Sequence, residues 1–180
     1  MASVDAPSEL GLARRILITI VTRPWRNALL AGLGGALAIG LLAVANESHV
    51  ALLLIPPFGA SCVLVFGVPA SPFARPRNVI GGHLISAAMG LTAVGIFGPD
   101  ALGIGAGVGL AIASMMLTDT VHPPAGANPI VVAIVNPGWS FLLAPVLIGA
   151  AAIVILGAIY NRLRQSVTLG HDGVSIRSGP

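Results

Sequence analysis

The sequence predicts an all-α integral membrane protein with six membrane crossings, built as an inverted repeat of three crossings and three crossings. Its 180 residues are 56% hydrophobic and only 8% charged, with a mean hydropathy of +0.95, which is typical of a chain that faces lipid. Its apolar windows have about the length that crosses a bilayer. A Pro-Pro-x-Gly-Ala motif interrupts the second and the fifth of these windows.

The six predicted crossings follow one another with short connections. Their ranges are 27–46, 50–69, 78–98, 101–118, 121–135 and 139–160. If the amino terminus is cytoplasmic, six crossings put all nine arginines on the cytoplasmic side, in agreement with the positive-inside rule. A re-entrant loop at 121–135 would move the last three arginines outside, so the arginines favour six crossings. We therefore expect both termini in the cytoplasm and a bacterial inner membrane as the location.

The membrane domain is predicted to extend from residue 27 to residue 161, with repeats at about 27–98 and 100–161. Residues 1–26 combine apolar positions with arginines, a pattern that fits either a helix on the membrane surface or an ordinary basic leader. Residues 162–180 are polar and aperiodic, which predicts a flexible cytoplasmic tail. The isoelectric point is near 10.5, but the arginines flank apolar segments as topology signals, so no nucleic-acid partner is expected.

The two halves resemble each other beyond the prolines. Residues 27–29 (Asn-Ala-Leu) resemble 100–102 (Asp-Ala-Leu), and Leu-Ala-Ile occurs at both 37–39 and 110–112. Chance similarity among helices rich in glycine, alanine and leucine is the alternative. Because each half has three crossings, the second half enters the membrane from the opposite face. Small residues spaced four apart predict close helix packing, within the chain or in a homo-oligomer. They are Gly32, Ala36 and Gly40 in one stripe and Gly105, Gly109 and Ala113 in the other.

The two Pro-Pro motifs predict two helix starts at membrane depth. Proline lacks a backbone N–H and cannot continue a helix, but it is tolerated in the first turn. A helix N-terminus carries about half a positive charge and several unpaired N–H groups, which favour a small anion. The alternative is that the prolines only kink two packed helices. The predicted binding residues are Pro56, Pro57, Gly59, Ala60 and Ser61 of the first motif and His122, Pro123, Pro124, Gly126, Ala127 and Asn128 of the second.

Ionisable residues near these motifs are candidates for a proton pathway. Histidine can change its charge near physiological pH, so His122 fits the role of a positive charge, a neutral donor or a proton carrier. His122 could equally cap a helix. Asp119 either orients His122 or pairs with an arginine, and Thr120 lies between them. His83, inside the third crossing, either faces a polar pathway or is an ordinary buried histidine.

Other chemistries lack their sequence signatures. The single cysteine, Cys62, rules out an internal disulfide, and we find no histidine pair with metal spacing, no phosphate-binding glycine loop and no nucleophile elbow. We therefore expect no enzyme activity, no cofactor, no metal and no ATP-driven transport by this chain alone.

Residues 119–129, Asp-Thr-Val-His-Pro-Pro-Ala-Gly-Ala-Asn-Pro, resemble the defining stretch of the HPP family, integral membrane proteins named for His-Pro-Pro. Residues 56–61 resemble the same family, and the likeness covers about residues 23–164. Members in plastids and cyanobacteria are associated with nitrite transport, so the resemblance implies a small monovalent anion as substrate. Family descriptions often give four membrane helices, whereas the arginines of this chain favour six crossings.

These observations lead to one functional hypothesis and one rival. The hypothesis is a channel or secondary transporter in the lipid bilayer for a small inorganic anion, nitrite above all, held at two broken helices. A single histidine suits passive conduction and proton-coupled transport equally. The rival is a membrane scaffold or sensor subunit that transports nothing.

Overall fold

The structure, a computed structural model, describes residues 25–47 and 53–172, with side chains up to residue 164, and this part of the chain contains helices and loops but no strand. The predicted amino-terminal segment therefore lies almost entirely outside the described residues. The described residues form six α-helices, which are α1 (Trp25–Glu47), α2 (Pro57–Cys62), α3 (Pro76–Phe97), α4 (Ala101–Leu117), α5 (Asn128–Val135) and α6 (Ile148–Asp172). Short 3-10 helices span Pro72–Ala74, Pro123–Ala127 and Trp139–Leu142, and π-helical turns span Val63–Gly67 and Leu143–Leu147.

Three helical segments are long and apolar enough to cross a membrane. They are Trp25–Glu47 with 23 residues, Pro76–Phe97 with 22 residues and Trp139–Arg164 with 26 residues. Three shorter apolar segments are Pro57–Gly67, between the first two long segments, and Ala101–Leu117 and Pro123–Val135, which follow each other between the second and the third. The all-helical membrane architecture is thus established with three clear spans among the described residues, while six crossings and the inverted repeat stay predictions.

The two short segments that contain the Pro-Pro motifs begin at prolines. Pro57 is the first residue of α2, and Pro123 and Pro124 open the 3-10 helix that leads into α5 at Asn128. Proline is compatible with a first helical turn because the N–H it lacks would have no partner there. The second motif therefore starts a 3-10 turn, and the α-helix follows only at Asn128.

Helix α3 lies at the centre of the bundle and packs against α4, α5, α6 and the 3-10 helix of the second motif. Two of its glycines permit unusually close contacts. A Cβ at Gly90 would lie 2.7 Å from Cα of Pro129, and a Cβ at Gly82 would lie 2.7 Å from Cβ of His122. Ordinary carbon contacts need about 3.5–4 Å. The absence of these two side chains therefore brings the second Pro-Pro motif directly against α3.

The predicted small-residue stripes are not where the helices of this chain meet. Gly32, Gly40, Gly105 and Gly109 have no atom within 4 Å of a Cβ built on them, and both stripes are exposed. The expectation that they pack helices within the chain is wrong. On α4 the buried positions are offset by two residues from the predicted stripe; they are Gly103, Gly107, Ala111 and Met115.

The last helix is longer than the sequence predicts. Helix α6 continues to Asp172, so residues 162–172, which the sequence assigns to the tail, are helical. Residues 173–180 lie outside the described part of the chain.

Candidate functional site

A buried polar cluster lies where the two Pro-Pro motifs meet, and it consists of Ser61, His83, His122 and Asn128. Ser61 belongs to α2, His83 to α3, His122 precedes the 3-10 helix of the second motif, and Asn128 begins α5. All four side chains are 0% exposed. Four distant parts of the sequence thus place their polar groups in one enclosed position.

Ser61 joins the two histidines. Its Oγ lies 2.8 Å from Nε2 of His83 and 2.8 Å from Nε2 of His122. The other nitrogen of His122, Nδ1, lies 2.8 Å from the carbonyl oxygen of Phe73. At the opposite end, Nδ2 of Asn128 lies 3.1 Å from Nδ1 of His83 and donates to the carbonyl oxygen of His83 at 2.9 Å. The result is a continuous chain of hydrogen bonds from Asn128 to Phe73.

When both histidines are neutral, the groups at the two ends of this hydrogen-bond series determine which atom is the donor in each bond. The Phe73 carbonyl can only accept, so Nδ1 of His122 carries hydrogen and its Nε2 must accept from the Ser61 hydroxyl. Ser61 then accepts from Nε2–H of His83, whose Nδ1 accepts from Asn128. The amide of Asn128 independently presents its nitrogen to this Nδ1, because the same nitrogen also reaches the His83 carbonyl. Both ends therefore give the same order.

Ser61 has a third polar contact that is not a hydrogen bond when both histidines are neutral. Its Oγ also lies 3.2 Å from the carbonyl oxygen of Pro57, one helical turn earlier. A hydroxyl has one hydrogen and two lone pairs. When that hydrogen is donated to His122, the Pro57 carbonyl receives nothing from it.

Neighbouring contacts hold the second motif against α3. Nδ2 of Asn78 donates to the Val121 carbonyl at 2.9 Å, and Oγ of Ser86 donates to the Ala125 carbonyl. The ring of Phe58 meets that of His83 edge to face, with 5.1 Å between ring centroids. The cluster is therefore held in place from both sides by hydrogen bonds and aromatic packing.

The predicted binding residues divide into an interior and an exterior group. Pro57, Ser61, His122 and Asn128 are buried, Pro124, Gly126 and Ala127 are half-buried, and Pro56, Gly59, Ala60 and Pro123 are exposed. On the exterior, Gly59 and Cys62 line an open apolar groove of about 410 Å³ beside α1. The polar side chains of the two motifs therefore meet in the buried cluster, whereas the glycines of the motifs lie outside it.

The backbone N–H groups at these helix starts are already engaged. The N–H of Gly59 donates to the Pro56 carbonyl at 3.1 Å, and the N–H of Ala125 donates to the His122 carbonyl at 2.9 Å. The N–H of Asn128 donates to the Ala125 carbonyl. In this closed arrangement these three N–H groups are therefore not free to bind a ligand.

Asp119 lies on the surface and pairs with Arg77. Its Oδ2 is 3.2 Å from Nη1 of Arg77, and its side chain is 90% exposed. Arg77 also donates to the Thr118 carbonyl at 2.6 Å, so this pair fastens the loop before His122 to the start of α3. Thr120 is buried, with its hydroxyl 2.8 Å from that of Thr118. Neither Asp119 nor Thr120 has a hydrogen bond to His122 among the described contacts.

The described residues contain no group of three or more histidine, cysteine, aspartate or glutamate side chains that could hold a metal ion. Within the same residues, no carboxylate forms a hydrogen bond or ion pair with the polar cluster. The cluster thus consists of two imidazoles, one hydroxyl and one amide in an enclosed position.

Three contributors to the site are absent from the sequence-based prediction. The carbonyl of Phe73 has no sequence signature because any residue carries one. Asn78 and Ser86 have a usable pattern, because each lies within five residues of His83 on the buried face of α3. Polar residues repeating along one face of an apolar helix are the pattern that indicates them.

Comparison with known proteins agrees with these features. A family model described as HPP, transmembrane region, matches residues 21–168. The chain belongs to the HPP family. The matched range includes both Pro-Pro motifs and all four residues of the polar cluster.

Two proteins similar to this chain are described as transmembrane proteins of Dictyostelium discoideum. One is 35% identical over 120 residues, which cover 62% of this chain and 42% of that protein. The other is 32% identical over 122 residues, which cover 63% of this chain and 39% of that protein. This chain therefore spans less than half the length of these relatives. No solved structure shows a significant match.

Proposed function

We propose that this HPP protein is a membrane transport protein, a channel or secondary transporter without enzyme activity, for a small monovalent anion. The observation that carries the proposal is the bridge at Ser61, whose Oγ on the first motif lies 2.8 Å from His122 on the second. Both motifs thus meet at one polar site inside an apolar bundle. Polar groups in such a position are costly and are typical of substrate pathways.

The chemistry of the cluster favours an anion over a cation. Among the described residues it contains no carboxylate partner, whereas its two imidazoles can become positive. Nitrite as the specific anion rests on the resemblance to HPP members associated with nitrite. Because all four side chains are wholly buried, the structure represents a closed arrangement, which an anion enters only after the surrounding helices move.

The proposal includes six crossings, with crossings two and five broken, and both termini in the cytoplasm of a bacterial cell. The presence of six apolar helical segments among the described residues, three long and three shorter, supports it. Cysteine labelling in a Cys62→Ala background tests the fifth crossing. Asp119→Cys and Ser140→Cys, both exposed, should be labelled from opposite sides of the membrane. Labelling of both from one side would make residues 121–135 a re-entrant segment.

The exposed small-residue stripes support a homo-oligomer as part of the same proposal. Flat glycine and alanine surfaces on membrane helices allow a second helix to approach closely. Cross-linking of the protein in a bilayer tests this, with the wild-type protein compared with Ala36→Leu, which adds bulk to the first stripe. Cross-linking should fall in the variant if this stripe forms the contact. Unchanged cross-linking would place the contact elsewhere.

The transport proposal is tested by anion flux in liposomes that contain the purified protein. Nitrite, nitrate and chloride are compared for the wild-type protein, His122→Ala and the surface control Asp119→Asn. Nitrite flux that falls in His122→Ala and persists in Asp119→Asn supports the cluster as the binding site. Absence of flux from correctly folded protein would favour the rival, a scaffold or sensor subunit. That rival also predicts that Ser61→Leu and Asn128→Leu are tolerated wherever packing survives.

A further inference from the structure

We propose that the buried polar cluster takes up one proton with each anion, and that His122 carries this proton. The inference rests on the proposed transport function and specifies its coupling. It makes this chain a proton-coupled anion transporter and excludes a passive channel. The argument depends on how many hydrogens Ser61 and its neighbours can supply.

In the neutral cluster every donor is already used. The hydroxyl of Ser61 donates to His122, His83 donates to Ser61, and Nδ1 of His122 donates to the Phe73 carbonyl. Both hydrogens of the Asn128 amide are engaged by Nδ1 and the carbonyl of His83. An anion that entered this arrangement would find neither a free donor nor a positive charge. The neutral cluster is therefore a poor anion site.

One added proton gives the cluster a positive charge and frees the hydroxyl of Ser61 from His122. If the proton binds to Nε2 of His122, that nitrogen becomes a donor to Ser61, and the Ser61 hydrogen turns to the Pro57 carbonyl at 3.2 Å. Ser61 then accepts from both histidines and donates once, which matches its two lone pairs and one hydrogen. All three contacts of Ser61 are hydrogen bonds at the same time only in this protonated state. Its hydroxyl, in the longest of the three contacts, is the donor most easily transferred to an anion.

The positive charge created in this way has no carboxylate partner in the described part of the protein. Within residues 25–47 and 53–164 no carboxylate contacts the cluster, and Asp119 is held on the surface by Arg77. The sequences of α4 and α5 contain no titratable residue. Up to residue 164, the remaining titratable or charged groups on the elements around the cluster are Cys62 on α2, Arg75 and Arg77 at the start of α3, and Tyr160, Arg162 and Arg164 on α6.

An unpaired charge in a dry interior is strongly unfavourable. The transported anion supplies the missing negative charge, and the proton supplies the positive charge that the anion needs. Each therefore stabilises the other in the site. One proton and one monovalent anion cross together, the proton leaves His122 on the far side, and no net charge moves.

The test is nitrite uptake into liposomes with the membrane potential clamped by potassium and valinomycin and an internal pH dye. We expect uptake that follows the pH gradient, carries protons and does not respond to the clamped potential. Protein-free liposomes correct for leakage of nitrous acid. Uptake that follows the potential without moving protons would overturn the inference and leave the transport function standing. Absence of uptake by folded wild-type protein would overturn both.

Variants assign the proton to His122. Glutamine keeps an N–H donor but cannot take up a proton, so in His122→Gln we expect nitrite uptake to lose its response to the pH gradient. Uptake should also fall about tenfold or more, as expected from loss of a hydrogen bond to a charged group. Thr92→Val on the same helix as His83 is the matched control, because its hydroxyl bonds within α3, to the Ala88 carbonyl. A normal pH response in His122→Gln would refute the assignment.

A second readout does not depend on transport. Nitrogen-15 NMR of labelled histidines distinguishes the two neutral tautomers from the protonated ring. Without anion we expect neutral His122 with hydrogen on Nδ1 and neutral His83 with hydrogen on Nε2. Addition of nitrite at constant pH should convert one ring to the protonated form in wild-type protein and none in His122→Gln. Two rings that remain neutral at saturating nitrite would overturn the proposal.

Discussion

Gly82 leaves room for His122, so Gly82→Ala should displace the second Pro-Pro motif from α3. A Cβ at this position would lie 2.7 Å from Cβ of His122 and 2.8 Å from the carbonyl oxygen of Thr120. Both distances are roughly 1 Å shorter than ordinary contact. One of the two atoms is backbone, so rotation of a side chain cannot relieve the overlap. Either α3 or the loop before His122 must move.

The magnitude follows from two opposing effects. Replacing a helical glycine by alanine favours the helix by about 1 kcal/mol, whereas overpacking a tight core costs about 1–3 kcal/mol. Gly95→Ala on the same helix isolates the first effect, because no atom lies within 4 Å of a Cβ there. We therefore expect Gly82→Ala to be about 1–3 kcal/mol less stable than Gly95→Ala. Displacement should also lengthen the 2.8 Å contact from His122 to Ser61 and reduce nitrite flux.

The assay is the free energy of unfolding of both variants in the same detergent, followed by nitrite flux in liposomes. Gly95→Ala should retain wild-type flux. Equal unfolding free energies and equal fluxes for the two variants would refute the packing of His122 against Gly82.

Three further predictions concern the same region. Ser61→Ala breaks two hydrogen bonds and should cost about 1–3 kcal/mol in thermal unfolding, while Ser86→Ala breaks one and should cost about half as much; equal costs would contradict the bridging role of Ser61. Asp119→Asn removes an exposed ion pair and should cost at most about 0.5 kcal/mol with flux unchanged, so a loss of flux would place Asp119 in the pathway. Gly90→Ala would bring a Cβ to 2.7 Å from Cα of Pro129 and should be about 1–3 kcal/mol less stable than Gly95→Ala, a difference that unfolding in detergent measures.

The sequence predicts the helical membrane class well because hydropathy reports directly on lipid exposure. It also predicts a helix start at Pro57, because proline restricts the backbone locally. The expectation that the small-residue stripes pack helices within the chain is wrong for a physical reason. Hydrophobic periodicity does not separate the lipid-facing side of a membrane helix from its packed side, since both are apolar. On α4 the choice between Gly105 and Gly107 depends on where Pro129 lies in space.

The cluster could be predicted only in part. Ser61, His83, His122 and Asn128 stand out in the sequence as polar residues in apolar segments. Their connection through Ser61 does not, because it depends on α2, α3 and α5 packing together across long sequence separations. The Pro-Pro motifs also predict free backbone N–H groups, whereas several of these groups donate within local turns in the structure. The polar side chains, rather than these N–H groups, occupy the buried position where the two motifs meet.

Proline has a second effect here that concerns acceptors and not donors. A carbonyl in a helix normally receives the N–H of the residue three or four positions later, and proline has none. Pro129 lies four positions after Ala125, and Pro76 lies three positions after Phe73. The Phe73 carbonyl accepts from His122, whereas the Ala125 carbonyl accepts both from Ser86 and from the N–H of Asn128, three positions later. At Phe73 the proline thus leaves a free acceptor, and that acceptor orients His122. Because a carbonyl cannot donate, the Phe73 carbonyl binds the protonated Nδ1 of His122. Nε2 of His122 is therefore the nitrogen that faces Ser61 and, in our proposal, the anion.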